Sequence, residues 1–366
     1  MTRIPAAARR PAAARLRGRT LTVLLALGTT LLLGAAPAWA GTANAGVPGA
    51  SHSDPLAGLP WGVYAGGGNG LYPVYEASHG RRHSLLAKIA RRPLAFWFGA
   101  WDSDSGAGQS VRQFIQQTTG GDPNVLSQVV VFRMDPWEAC GLAPSGAEQR
   151  SYRHWINSFA AGIGSSRVAL ILQPDMPFAM CAASRAPLQL VAYAAQRLSA
   201  LPHTTVYVDA GAHYWPSFSQ AVSMLEQSGV RYARGFSLNT TEYDSTGGEL
   251  EYGARLVQAL AAAGLPGKHF VINTAENGSP FLNGQYPGNV GNPRVCRNRF
   301  DRLCATLGIP PTWHTSARRW GLSGADRALA GRYADAYLWI GRPWLDYGSN
   351  PFDLARALGL AASTPF

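Results

Sequence analysis

Three aspartates stand where apolar runs give way to loops. Gln173-Pro174-Asp175 closes one run, Asp209-Ala210-Gly211 closes another, and a late run leads through Arg342-Pro343-Trp344-Leu345 to Asp346. Flat side chains accompany them: Trp101, Trp137, Trp215, Tyr243, Trp339 and Trp344. Carboxylates beside indoles suit a sugar polymer. A pyranose ring presents an apolar CH face that stacks on an aromatic plane, while its hydroxyls need polar partners. Its glycosidic bond breaks when one carboxylic acid protonates the leaving oxygen and a second carboxylate serves water or the anomeric carbon. An aspartate at a strand end also caps the following helix, and a tryptophan also fills a core, so the pattern alone leaves both readings open.

Other chemistries lack their residues. No G-x-S-x-G elbow is present for a Ser-His-Asp esterase. No C-x-x-C or H-E-x-x-H spacing supports a zinc site, so neither metal nor cofactor is expected. The eight histidines are isolated, and His213, nearest the aspartates, reads equally as a hydrogen-bonding partner or a catalyst. Asn239-Thr-Thr241 and Asn277-Gly-Ser279 match glycosylation sequons but lie in segments that belong with the site.

The elements that must position these residues alternate. Continuous apolar runs at 94–98, 129–132, 168–172, 205–208, 233–238, 270–272 and 336–340 read as strands buried on both faces. Helical patterns fill most of the gaps, at 109–117, 148–161, 188–199, 217–227 and 249–262. Leu188, Val191, Ala192, Ala195 and Leu198 show the 3.6-residue period clearly. Strand–helix alternation implies parallel strands with right-handed crossovers. Seven such units favour a parallel β/α barrel, complete or slightly open, over a flat doubly wound sheet, and no glycine-rich phosphate fingerprint follows the first strand. The stretch from 273 to 334 reads as a long irregular insertion of the kind that carries function.

Composition bounds the rest. Residues 1–40 carry six arginines, an apolar run over 21–33 and Ala38-Trp39-Ala40, the pattern of a signal peptide for secretion. Removing them lowers the net charge from +11 to +5, since they hold no acidic residue. The remaining arginines are scattered, so no nucleic acid is expected as a partner. Residues 41–56 read as a flexible leader and 57–366 as one domain, with no membrane association after cleavage and a monomer expected. Four cysteines in an exported chain fit two disulfides. Sequence leaves the pairing open; Cys140–Cys181 with Cys296–Cys304, the latter closing a short loop, is the expectation.

Four ordered blocks resemble glycoside hydrolase family 6, the cellobiohydrolases and endoglucanases of cellulose degradation. Residues 168–176 (VALILQPDM) resemble its I-x-E-P-D motif, residues 206–215 (VYVDAGAHYW) its Y-L-D-A-G-H-x-x-W block, residues 234–243 (RGFSLNTTEY) its R-G-x-x-x-N-x-x-x-Y block, and residues 335–340 (DAYLWI) its D-A-F-L-W-I run. Residues 273–279 (NTAENGS) are similar to D-T-S-R-N-G. The resemblance implies a distorted seven-stranded parallel barrel and an inverting hydrolase of β-1,4-glucan. It implies Asp175 as general acid, Asp346 as candidate base and Asp209 as a supporting carboxylate. Candidate sugar contacts are Trp101, Trp215, Asn239, Tyr243, Arg342 and Trp344.

The chain departs from the family in three places. Ala139 stands where an aspartate assists the acid, Asn273 replaces an aspartate, and Asp346 falls one residue out of register, with Arg342 standing in for a missing lysine. The Arg342-Pro-Trp-Leu-Asp346 ending resembles an actinobacterial branch of the family. Two alternatives stay open: a glycan-binding protein on a decayed hydrolase fold, and a hydrolase of another cell-envelope polysaccharide.

Overall fold

The computed structural model describes residues 53–68, 70–134, 143–181, 184–349 and 351–366. The expected signal peptide, most of the expected leader, Ala139 and the side chains of the Cys140–Cys181 pair lie outside the described residues.

Seven strands form one parallel sheet in chain order: β1 (Phe96–Gly99), β2 (Ser127–Phe132), β3 (Val168–Leu172), β4 (Thr204–Asp209), β5 (Gly235–Leu238), β6 (His269–Asn273) and β7 (Ala334–Leu338). Their residues alternate between the two faces of the sheet. Val129, Val131, Leu170, Leu172, Val206 and Val208 face the helices, while Val130, Ala169, Ile171, Tyr207, Val271 and Leu338 fill the inside of the curled sheet. Burial on both faces explains why each strand reads as an unbroken apolar run.

The described helices are α1 (Leu71–Glu76), α2 (Gly80–Ala90), α3 (Ala107–Thr119), α4 (Gly146–Ile163), α5 (Ala186–Ser199), α6 (Phe218–Gln227), α7 (Thr246–Ala262), α8 (Gly324–Tyr333) and α9 (Leu354–Ser363). Helices α3 to α8 each join one strand to the next. Several begin on sequence-legible caps: Ser145 and Glu148 form a capping box at α4, and Ser245 accepts from Gly248 N–H at α7. The long stretch after β6 is not irregular throughout, because α8 (Gly324–Tyr333) lies near its end. That helix has a weak apolar stripe and buries only Ala330, so periodicity could not reveal it. The Cys296–Cys304 disulfide lies within the same stretch, as expected.

The sheet closes into a distorted barrel along a thin seam. One parallel bridge, Leu94 to Trp339, joins the first strand to the last, with Ala95 N–H donating to Trp339 C=O at 3.0 Å. Side chains reinforce it. The Trp97 indole N–H donates to Ile340 C=O at 2.8 Å, and the Arg342 guanidinium lies 4.4 Å over the Trp97 ring. A second core packs α1, α2 and α9 against Trp339, Trp344 and Phe281. No helix among the described residues is long and apolar enough to cross a membrane.

Candidate active site

In a parallel barrel, functional side chains gather where strands end and loops begin. The chain after β3 turns sharply there. Gln173 and Asp175, on either side of Pro174, both take left-handed backbone (φ 58° and 59°), a conformation costing roughly 1–3 kcal/mol for a non-glycine residue and typical of functional sites. Buried Gln173 is held from both ends: its N–H donates to Val131 C=O at 2.8 Å, and its Oε1 accepts from Met134 N–H at 3.1 Å. Asp175 is thereby turned outward, half-buried, and its Oδ1 accepts from the Thr241 hydroxyl at 2.7 Å.

Asp209 ends β4 fully buried beside it. Its Oδ2 accepts from Gly211 N–H at 3.2 Å and Met176 N–H at 3.3 Å, and its Oδ1 from the Thr240 hydroxyl. Burial pushes the Asp209 carboxyl well above the usual range; the three donors oppose this and the Asp175 charge adds to it. Adjacent threonines thus serve adjacent aspartates, Thr240 holding Asp209 and Thr241 holding Asp175.

Gly211 explains its place in the D-A-G block. It has φ 76°, and a Cβ there would lie 2.2 Å from Trp215 C=O, inside the tight turn in which Ala212 and Trp215 exchange backbone hydrogen bonds of 2.7 and 2.9 Å. That turn presents Trp215 half-exposed, next to Phe178 with ring centroids 5.0 Å apart. Trp101, 58% exposed, lies over Gly99 at the end of β1.

The other expected sugar contacts sit deeper. Asn239 is fully buried and its amide is spent on backbone: Nδ2 donates to Asp244 C=O and Asn273 C=O at 3.2 Å each, and Oδ1 accepts from Asp244 N–H at 3.0 Å. Tyr243 stacks face to face on Phe281 at 4.8 Å and is 8% exposed. Trp344 is 1% exposed and packs near Trp339 in the second core. Arg342 stacks on Trp97 at the seam, where burial lowers its pKa to about 10 against the pull of Glu276. Asp346 is half-buried after β7, and its Oδ1 accepts from Asn292 Nδ2 at 3.0 Å. The structure therefore gathers Asp175, Asp209 and Trp215. Asp346 shares no hydrogen bond with either of those carboxylates among the described residues.

Asn273 has a role that an ionised aspartate could not fill. Its Oδ1 accepts from Ala275, Ile340 and Gly341 N–H at 3.0–3.1 Å, while its Nδ2 donates to Asn239 C=O at 2.9 Å. An ionised carboxylate could accept those three hydrogen bonds but could not donate to Asn239 C=O; the amide does both, and it ties the ends of β5, β6 and β7 together.

Sequence reasoning missed three things. Thr240 and Thr241 were hidden inside a sequon-like triplet. Glu276 is buried under Gly341, where a Cβ would lie 2.3 Å from its Oε2, and burial raises its pKa to about 8. His213, Asp244 and Glu249 cluster although they come from three segments.

The chain is similar to several known proteins. Endoglucanase A of Cellulomonas fimi is 33% identical over 211 residues, covering 57% of this chain and 45% of that protein. Endoglucanase 1 of Streptomyces halstedii is 31% identical over 249 residues, covering 65% and 75%. The chain thus spans less than half of one curated relative and three quarters of the other. The solved endoglucanase Cel6 of Mycobacterium tuberculosis, in complex with methyl-cellobiosyl-4-deoxy-4-thio-β-D-cellobioside, superposes with a TM-score of 0.66 at 28% identity, covering 84% of this chain and 98% of that one. The family model for glycosyl hydrolases family 6 matches residues 71–344, and to that family this chain belongs.

Proposed function

We propose that this chain is a secreted hydrolase of β-1,4-glucan that works by inversion, with Asp175 as the general acid. The observation that carries the reading is the Asp175 carboxyl itself. It is turned outward at the barrel mouth on left-handed backbone, held by Thr241 and set beside the buried Asp209. A carboxyl that protonates a glycosidic oxygen must reach the substrate and keep one orientation, and this one meets both demands. The relatives named as endoglucanases, and the solved relative bound to a cellobiosyl thio-oligosaccharide, support a cellulose-type substrate.

Inversion is what the resemblance to family 6 implies, with acid and base placed on different loops. Asp346 follows β7 and engages Asn292, apart from the hydrogen-bonding group of Asp175. It is the base of this reading, and Trp215 and Trp101 are the platforms. Export rests on the basic, apolar and A-x-A pattern of residues 1–40.

The test is release of reducing ends from carboxymethylcellulose, barley β-glucan and cell-wall extract, with Asp175→Asn alongside. Turnover on the first two that disappears in the variant is the expected result. Turnover on cell-wall extract alone would move the substrate to another polysaccharide. Binding of cello-oligosaccharide without turnover on any of the three would overturn the enzymatic reading.

A further inference from the structure

Beside the Asp175 site, His213 after β4, Asp244 after β5 and Glu249 in α7 converge. One ligand atom from each lies within 4.8 Å of the other two. His213 Nδ1 hydrogen-bonds to Asp244 Oδ2 and stands 3.9 Å from Glu249 Oε1, so a bound cation would take the place of the proton between His213 and Asp244. Several lone pairs are already used: Ser245 N–H donates to Asp244 Oδ1 at 2.6 Å, and His213 N–H donates to Glu249 Oε1 at 3.0 Å. Glu249 Oε2 is not. It is fully buried and accepts no hydrogen bond from an N–H or hydroxyl among the described residues; its nearest polar neighbour is the Asp244 carboxyl.

Charge is unbalanced here as well. Two buried carboxyl groups face one half-exposed imidazole, and no lysine or arginine forms an ion pair with either among the described residues. A buried carboxylate oxygen without a partner is strongly disfavoured. A partner must meet it: a water, a proton shared with Asp244, or a cation. The donor set selects among cations. One imidazole nitrogen with two carboxylate oxygens suits a borderline divalent ion better than Ca²⁺ or Mg²⁺, which prefer all-oxygen shells.

We propose that His213, Asp244 and Glu249 bind a divalent cation of the Zn²⁺ type, with water completing its shell on the exposed side of His213. The ion would act as a clamp. Asp244 anchors its loop by exchanging hydrogen bonds with Asn239 and accepting from Asn277 Nδ2 at 2.8 Å. That loop carries Thr241, the partner of Asp175, whereas His213 sits two residues before Trp215. A bound cation thus ties the acid's holder to the half-exposed indole. The binding claim itself does not depend on the hydrolytic reading.

The experiment uses the mature protein stripped with a chelator and dialysed against Zn²⁺, with bound metal counted by elemental analysis and Tm measured by calorimetry. One ion per chain and a raised Tm are expected for the wild type. His213→Ala and the near-isosteric Glu249→Gln, each checked for native circular dichroism, should lose the ion and the Tm gain. A wild type that retains no ion overturns the proposal. So does an ion kept in both variants, which would place it elsewhere. Glu249→Gln with a Tm at or above that of an ion-free wild type would assign the site to a shared proton instead.

Discussion

Arg234 and Asp335, 101 residues apart in the chain, form a two-pronged pair at the floor of the barrel, Nε to Oδ2 and Nη2 to Oδ1, each 2.9 Å. Asp335 also accepts from the Tyr207 hydroxyl at 2.7 Å and pairs with His269 Nδ1 at 3.1 Å. Burial alone would raise the Asp335 pKa, but the hydrogen bonds from His269 and Arg234 outweigh it and hold the carboxyl below its usual range. Breaking such a buried pair from one side costs about 3–5 kcal/mol. Asp335→Ala should lower the unfolding free energy by that order in urea at pH 7. A depressed carboxylate pKa stabilises above the unfolded value and loses its effect as pH falls through the folded value, so the gap between variant and wild type should narrow in acid. Activity per folded molecule should be unchanged, because the pair lies at the opposite end of the strands from Asp175.

On the proposed mechanism, Asp175→Asn removes the proton donor and leaves the shape. Turnover on unactivated glucan should fall by about 10²–10⁴-fold or more, with affinity for cello-oligosaccharide nearly unchanged by calorimetry. A variant with a tenth of wild-type turnover would refute the acid assignment.

Stereochemistry separates the two glycosidase mechanisms. Inverting enzymes hold their carboxyls roughly 6.5–9.5 Å apart so that a water fits beneath the sugar. Proton NMR before mutarotation should show the α-anomer as first product from a β-linked glucan, and Asp346→Ala should slow its release. The β-anomer appearing first would end the inverting reading. A fully active Asp346→Ala would end only the choice of base.

Glu276 gives a pH signature of opposite sign to Asp335. Burial raises its pKa to about 8, with Glu242 adding to the shift and Arg356 and Arg342 opposing it. A raised carboxyl pKa stabilises fully below the unfolded value of 4.5 and loses that effect as pH rises through 8. The wild-type Tm should therefore fall between pH 5 and pH 8 through this group, and the slope should flatten in Glu276→Gln. A difference between the two proteins that does not change with pH would show that the carboxyl is ionised throughout.

The Cys296–Cys304 bridge closes a short loop, with a sequence separation of 8. Chain-entropy arithmetic for so short a loop gives about 2–3 kcal/mol. The double variant Cys296→Ser/Cys304→Ser should lose stability of that order in denaturant titration and keep the fold.

All seven strands were legible because burial on both faces writes itself as uninterrupted apolar sequence, and five helices because their stripes follow the 3.6-residue period. Asp175, Asp209 and Trp215 were legible as strand-end residues. Periodicity does not report depth within loops. Asn239 and Trp344 follow strands just as Asp175 and Trp215 do, yet backbone partners draw the first inward and a second core covers the other. The His213, Asp244 and Glu249 cluster was invisible for a related reason: metal spacing rules read one segment, and these residues come from three.

The thin seam between the first and last strands has a dynamic meaning. Every other strand pair is stitched by a ladder of three to five paired residues, whereas this one has a single bridge and the Trp97 and Arg342 side chains. Amide exchange follows the weakest cooperative unit. Ala95 N–H should therefore trade its proton for deuterium ahead of amides inside β3 and β4, and Trp97→Phe should hasten it further. Such a barrel opens along one known line, like a cuff with a single button, and that line runs up to the rim between Trp101 and Arg342.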